Sequence, residues 1–266
     1  MREVWALLRA SWLTARSYRV SLLLSLGGLV LGVIPIYFVS RALQSTMAGK
    51  IVGEGGDYFA FLLVGLIAYS LIMMAVSAVP AAIESGIATG TLEALLSTRA
   101  SVPAILGGLV SYGVLWGAVR GLLVLGAGVL LGAHVAWSHA ALSAAILLLT
   151  VLAYLAVGLV AAALVLAFRT AGPLARGVLV GSGLLGGVYY PTGVIPSWIQ
   201  RLSDAVPLTY GLRGIRRTLL EGASFQLVAH DVGVLLLFVA GLMAFGVAAF
   251  SWSLRYARRT GTLAQY

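Results

Sequence analysis

Residues 121–168 contain no Asp, Glu, Lys or Arg, and this uncharged stretch limits the fold more than any other feature. A helix that crosses a bilayer needs about 20 mostly apolar residues, so the stretch is too long for one span and suits two joined by a tight turn. Across the 266 residues, 61% are hydrophobic and 9% are charged, whereas soluble domains carry about 25% charged residues. These features predict an all-α integral membrane protein.

Six apolar stretches are candidates for transmembrane helices within one transmembrane domain that covers residues 1–266. They are residues 20–40, 58–80, 102–132, 141–168, 177–188 and 232–254. Residues 1–19 precede the first stretch, with arginine at positions 2, 9 and 16 and apolar residues largely on one side. This pattern predicts an interfacial amphipathic helix on the cytoplasmic leaflet.

The basic residues predict the orientation. With a cytoplasmic amino terminus and six spans, ten arginines lie inside and six basic residues lie outside beside five acids. Because Lys and Arg are retained on the cytoplasmic side, we expect both termini in the cytoplasm. The net charge of +9 sits mostly at the ends of apolar runs. It therefore indicates membrane orientation rather than nucleic-acid binding.

The sequence predicts no catalytic, metal or cofactor site on this chain. It contains no cysteine, and its three histidines are not grouped with carboxylates. No GxxxxGK[ST] string is present, so we expect no nucleotide hydrolysis by this polypeptide itself.

Residues 84–99 form the first of two informative segments, between the second and third predicted spans. Thr91 is suited to cap a short helix, whose apolar edge would carry Leu92, Leu95 and Leu96 while Glu93 faces away. Such a helix can fit a groove on a cytoplasmic partner. On periodicity alone, an ordinary solvated connector is favoured.

Residues 189–222 form the second segment, which prolines divide into short pieces. One short helix is predicted around Trp198. Another is predicted to begin near Thr209, with its leucines and Ile215 opposed to a polar face of arginines. That face comprises Arg213, Arg216 and Arg217. We expect a re-entrant element at the outer mouth; the alternative is a surface loop with two interfacial helices.

Two strings in these segments resemble one family. GTLEALLST, followed by AS, is similar to the coupling-helix motif of bacterial ABC type-2 permeases. GVYYPTGVIPSWIQRLSDAVPLTYGLRGIRRTLLEG resembles the signature before that family's last span. The chain departs from many members in having SGIAT, rather than a cluster of charges, before GTLE.

The resemblance implies an exporter of two six-span subunits, the second an identical copy or a paralogue, with two ATP-binding subunits that carry ATP and Mg²⁺. The residues implied in ATPase coupling are Glu84, Gly90, Thr91, Leu92, Glu93, Leu95 and Leu96.

The cargo pathway is predicted from intramembrane and aromatic residues. Arg120 is the one charge deep within an apolar run, suited either to the pathway or to structural pairing, for instance with Glu221. The other pathway candidates are Tyr189, Tyr190, Pro191 and Tyr210. An amphipathic drug, antibiotic or lipid-like cargo is favoured. The alternatives are a polysaccharide or glycolipid exporter, a secondary transporter and a membrane scaffold.

Overall fold

The computed structural model describes residues 19–89, 102–168 and 172–260. Its helices are α1 (Arg19–Met47), α2 (Tyr58–Ala88), α3 (Val102–Leu130), α4 (Ala140–Phe168), α5 (Gly172–Leu185), α6 (Ser197–Ser203), α7 (Pro207–Leu220) and α8 (Phe225–Thr260). Short 3-10 turns lie at Ala48–Lys50, Trp137–His139 and Thr192–Val194. No strand occurs in these three ranges, which confirms the predicted all-α class.

Five helices are long and apolar enough to cross a membrane, namely α1, α2, α3, α4 and α8. The predicted fifth span corresponds to α5, a shorter apolar helix of 14 residues. At about 1.5 Å per residue this helix is roughly 21 Å long, which is less than a full hydrocarbon core. The uncharged stretch divides after Leu130, where Gly132 adopts a positive φ of 97° before α4 begins.

Helices α2 and α4 form the centre of the bundle. Within their apolar windows, 67% and 61% of residues are buried, against 11% in α1, α3 and α8. Glycines allow the backbones to approach closely: a methyl group added at Gly158 of α4 would lie 2.8 Å from the carbonyl oxygen of Ala75 in α2. Small residues at helix contacts serve this purpose in membrane proteins, where dispersion rather than hydrophobicity drives packing.

We call the end of the bundle where α2, α4 and α8 begin the loop end. The connections at this end are residues 48–57, 131–139, 186–206 and 221–224. Helices α6 and α7 belong to it, and α7 packs on α4, α8 and α2. The opposite end carries the connections after Thr89 and Phe168. The predicted interfacial helix, and most of the predicted coupling segment, lie outside the described residues.

Candidate functional site

Helix α7 supports the loop end. Pro207 occupies its first turn, where the missing N–H is not needed. The helix stops before Gly222, whose φ of 67° suits the left-handed conformation that follows helix ends. Between them, Leu208, Leu212 and Ile215 are buried in the main apolar core. The local sequence therefore fixes both the ends of α7 and the face that it turns inward.

Arg216 is buried at this inward face, with 2% of its side chain exposed. Its Nη1 donates to Glu54 Oε2 at 2.9 Å and to the Gly187 carbonyl oxygen at 3.0 Å. Its Nη2 donates to the carbonyl oxygens of Phe61 at 3.1 Å and Val188 at 3.3 Å. We call these four acceptors the Arg216 cage. It joins the α1–α2 connection, α2, the turn after α5, and α7.

Two further features adapt this region to a buried cation. The Cζ atom of Arg216 lies 3.3 Å from the ring centroid of Phe61, within the range of a cation–π contact. Gly65 leaves room for the guanidinium, because a methyl group there would lie 2.9 Å from Nη2 and 2.5 Å from the Val188 carbonyl oxygen.

Burial lowers the pKa of Arg216 to about 10, and the Glu54 carboxylate opposes this shift. The side chain is therefore protonated at neutral pH, and the cage holds an ion pair rather than two neutral groups.

The prediction that Arg216 lies on the polar face of α7 is therefore wrong. On a helix, position 216 lies 40° from Leu212 on one side and 40° from Leu220 on the other, at 100° per residue. The helical wheel thus places Arg216 within the apolar arc, while Arg213 and Arg217 lie at its edge. This signal was present in the sequence, but grouping the three arginines by charge concealed it.

Arg213 and Arg217 lie on the side of α7 that faces α8. The Nη1 of Arg213 is 3.4 Å from Asp231 Oδ1, and the Nη1 of Arg217 is 3.7 Å from Asp231 Oδ2. Asp231 is 3% exposed, whereas the two arginine side chains are 30% and 39% exposed. The buried carboxylate of Asp231 thus forms ion pairs with two partly solvated guanidinium groups.

An apolar cavity of about 290 Å³ lies between α2, α3, α4 and α7 in the loop-end half of the bundle. It exists because α3 and α4 both pack on α2 rather than on each other. Its lining includes Ile67, Leu71, Gly121, Leu122, Leu125, Ala144, Leu147, Ile215 and Leu219. Leu122 is 67% exposed, and Ala118 and Ala144 are also exposed, so the cavity opens sideways between α3 and α4.

The hydroxyl group that lines the cavity is satisfied by the protein. Ser143, the one lining residue with a hydroxyl group, shares a 2.7 Å hydrogen bond with Thr218 Oγ1. Trp137 lines the cavity at the loop end and is itself exposed. An indole at that level suits a membrane–water interface. The arrangement can accept an apolar group from the lipid side but offers it no ionic partner.

The predicted pathway residues do not converge on this cavity. The Cζ atom of Arg120 lies 5.8 Å from the ring centroid of Trp116, and Arg120 is not part of the lining. Glu221, considered as its partner, accepts a hydrogen bond from the Gly55 N–H at 2.9 Å.

The tyrosine candidates are divided between two places. Tyr189, Tyr190 and Pro191 follow α5, where the Tyr190 hydroxyl donates to the Leu184 carbonyl oxygen at 2.6 Å. Tyr210 lies on α7 and donates to the Asp204 carbonyl oxygen at 3.1 Å. No hydrogen bond or ring contact within the described ranges joins Tyr210 to Tyr189 or Tyr190.

The predicted coupling residues remain predictions. Glu84 lies in the last turns of α2, is exposed, and sits at the end of the bundle opposite the Arg216 cage. Gly90, Thr91, Leu92, Glu93, Leu95 and Leu96 lie outside the described residues.

These features define a multi-pass helical membrane protein. Its short helices α6 and α7 lie at the loop end, and an apolar cavity beneath α7 opens sideways. The family model described as ABC-2 type transporter matches residues 2–220, so the chain belongs to that family. The chain is accordingly a membrane permease subunit of an ABC transporter, which confirms the resemblance seen in its motifs. No match is found among curated proteins. The matched region ends with α7, and α8 follows it.

Proposed function

We propose that this permease exports an amphipathic small molecule or lipid-like substrate, driven by a separate ATPase subunit. The apolar cavity carries the proposal, because it opens between two membrane-spanning helices and its lining suits a hydrocarbon group. A ligand can enter such a cavity from the bilayer without crossing water. An apolar site of this kind favours an amphipathic cargo over a glycan, whose hydroxyl groups need hydrogen-bonding partners.

The family supports a partnership with ATP-binding-cassette subunits, and we propose two of them, carrying ATP and Mg²⁺. Their contact would be made by Glu84 and the residues from Gly90 to Leu96. Glu84 is at the end of the bundle opposite the loop end. The proposed force from ATP binding would therefore reach the cavity along α2, which ends near the coupling segment and lines the cavity with Ile67 and Leu71.

A second permease, identical or paralogous, completes the proposed pathway. Helix α1 leaves a large apolar surface uncovered, which includes Leu24, Leu31 and Phe38. Three glycines of α1 also face open space, since a methyl group at Gly27, Gly28 or Gly32 would meet nothing within 4 Å. Small residues on an unfilled helix surface favour close approach of another helix. We place the complex in a bacterial or archaeal cytoplasmic membrane, with both termini cytoplasmic.

The cavity is tested by a matched pair of substitutions on α4. Ala144 and Ala145 are adjacent and both exposed, but only Ala144 lines the cavity. The permease would be reconstituted in lipid nanodiscs with its ATPase. ATP hydrolysis would then be measured with amphipathic drugs, lipids and glycans. We expect Ala144→Trp to abolish substrate stimulation and Ala145→Trp to preserve it. Equal stimulation in both variants would contradict the cavity's role.

The coupling segment is tested in the same assay without added substrate. We expect Leu96→Ala and Glu93→Ala to lower the ATPase activity that depends on this subunit, because they would weaken its contact with the motor. Absence of any ATPase response to the permease would overturn the exporter proposal. Stimulation by glycans alone would instead favour a polysaccharide or glycolipid exporter.

A further inference from the structure

Arg213 and Arg217 on α7 carry more positive charge than their surroundings neutralise. Both approach the single carboxylate of Asp231, so the group of three retains one positive charge. Each guanidinium has five N–H donors. Arg213 donates one of them to Asp231 Oδ1 at 3.4 Å. The side chain of Arg217 makes no hydrogen bond to any described residue. Unused donors therefore remain on both side chains.

Asp231 holds these donors in place. It is 3% exposed, and its two oxygens approach different arginines, so it fixes the spacing of two side chains one helical turn apart. The distances of 3.4 and 3.7 Å exceed those of a short charge-assisted hydrogen bond, about 2.7–2.9 Å. Asp231 therefore positions the arginines without saturating them. A second anion could approach their exposed sides.

Two aromatic side chains border the arginines. The Cζ atom of Arg213 lies 5.5 Å from the Tyr210 ring centroid, and that ring is 6.4 Å from the His230 ring. His230 is largely exposed, and its Nδ1 lies 3.7 Å from Asp231 Oδ1. The imidazole can thus supply a further N–H to a group bound at the arginines.

The bilayer-facing surface of α8 continues from this cluster. His230 and Leu237 are seven residues apart, which places them on one face of the helix. Leu237 is 74% exposed, and it lies about 10 Å along α8 from His230 at 1.5 Å per residue. Because α8 is a candidate span, this spacing puts an apolar surface directly beneath a cationic one.

We propose that Arg213, Arg217 and His230 bind the phosphate of an anionic phospholipid, whose acyl chain lies along α8 beside Leu237. Guanidinium groups suit phosphate because their N–H donors match its oxygens in pairs. The site is separate from the apolar cavity, and it does not depend on the cargo or on the direction of transport.

The test uses the purified full-length protein in neutral detergent. Binding of short-chain phosphatidylglycerol would be followed by its saturable effect on thermal unfolding. Diacylglycerol with the same chains lacks the phosphate, and inorganic phosphate lacks the chains. We expect a rise in Tm with phosphatidylglycerol alone. Response to inorganic phosphate at the same concentration would indicate a free-anion site, and an equal response to diacylglycerol would indicate chain binding only; either result overturns the proposal.

Substitutions assign the binding to the cluster. We expect Arg213→Gln/Arg217→Gln to weaken phosphatidylglycerol binding about tenfold or more, as loss of charge-assisted hydrogen bonds to phosphate requires. Arg217→Gln alone keeps Arg213 beside Asp231, so it tests the site if the double variant does not fold. Arg201→Gln is the matched control, since Arg201 is an exposed arginine of α6 at the same end. Unchanged binding in a folded Arg217→Gln and double variant would refute the site.

Discussion

Arg216 and the pair Arg213 and Arg217 lie on one helix within a turn of each other, yet their surroundings differ. Arg216 is buried and donates to all four acceptors of its cage. The pair is partly exposed and shares one carboxylate at longer distances. A buried cation whose two terminal nitrogens donate to four acceptors holds structural elements together. A partly exposed cation with unused donors remains available to a ligand, so burial separates the roles of three chemically identical side chains.

The largest expected effect on stability comes from removing the Arg216 side chain from its cage. Arg216→Ala leaves the Glu54 carboxylate without its cation and removes a donor from three carbonyl oxygens. Removing one partner of a buried ion pair costs about 3–5 kcal/mol, so we expect a large fall in the free energy of unfolding. Thermal unfolding of the purified protein in detergent would measure it. A variant with the Tm of the wild type would show that the cage is not a structural element.

An intermediate effect is expected from filling the space beside the guanidinium. Gly65→Ala places a methyl group against the Val188 carbonyl oxygen and Arg216 Nη2. Overpacking of this kind costs about 1–3 kcal/mol. Gly126→Ala on α3 is the control, because nothing lies within 4 Å of the methyl group it adds. We expect a lower Tm for Gly65→Ala only. Equal Tm values for the two variants would mean that Arg216 and the Val188 carbonyl oxygen can move aside without loss of stability.

The smallest effect is expected at the exposed pair. Arg213→Gln removes an ion pair in which the arginine is 30% exposed, while Arg217 still faces Asp231. Because Arg217 keeps a cation beside the buried carboxylate and the Arg213 guanidinium is partly solvated, the Tm should fall less than in Arg216→Ala. A loss of stability as large as that of Arg216→Ala would remove the distinction between the two kinds of arginine.

The helical membrane fold was predictable because it follows from local properties. Apolar length and the absence of charge predict spans, and Pro207 and Gly222 mark the ends of α7. The string GTLEALLST and the signature in residues 187–222 also predicted the family, which the family match confirms. The length of α5 was less apparent, since the apolar stretch extends beyond Leu185 while the helix ends there.

The site was predictable only in part. Three of the four cage acceptors are backbone carbonyl oxygens, which leave no pattern in the side-chain sequence. The fourth, Glu54, belongs to a connection that resembles any polar loop. The cavity was also hidden, because it arises from two helices packing on a third rather than on each other. Such features depend on tertiary packing and are not encoded in periodicity.

The cage also has a consequence for the order in which the chain assembles. The hydrogen bonds from Arg216 to Glu54 and Phe61 join residues separated by 162 and 155 positions. Synthesis from the amino terminus therefore delivers Glu54 to the membrane well before Arg216 exists. Until α7 docks, the α1–α2 hairpin lacks its cation, and closing so long a loop is slow. The loop end is thus completed only after α7 has been synthesised, late in the assembly of the permease.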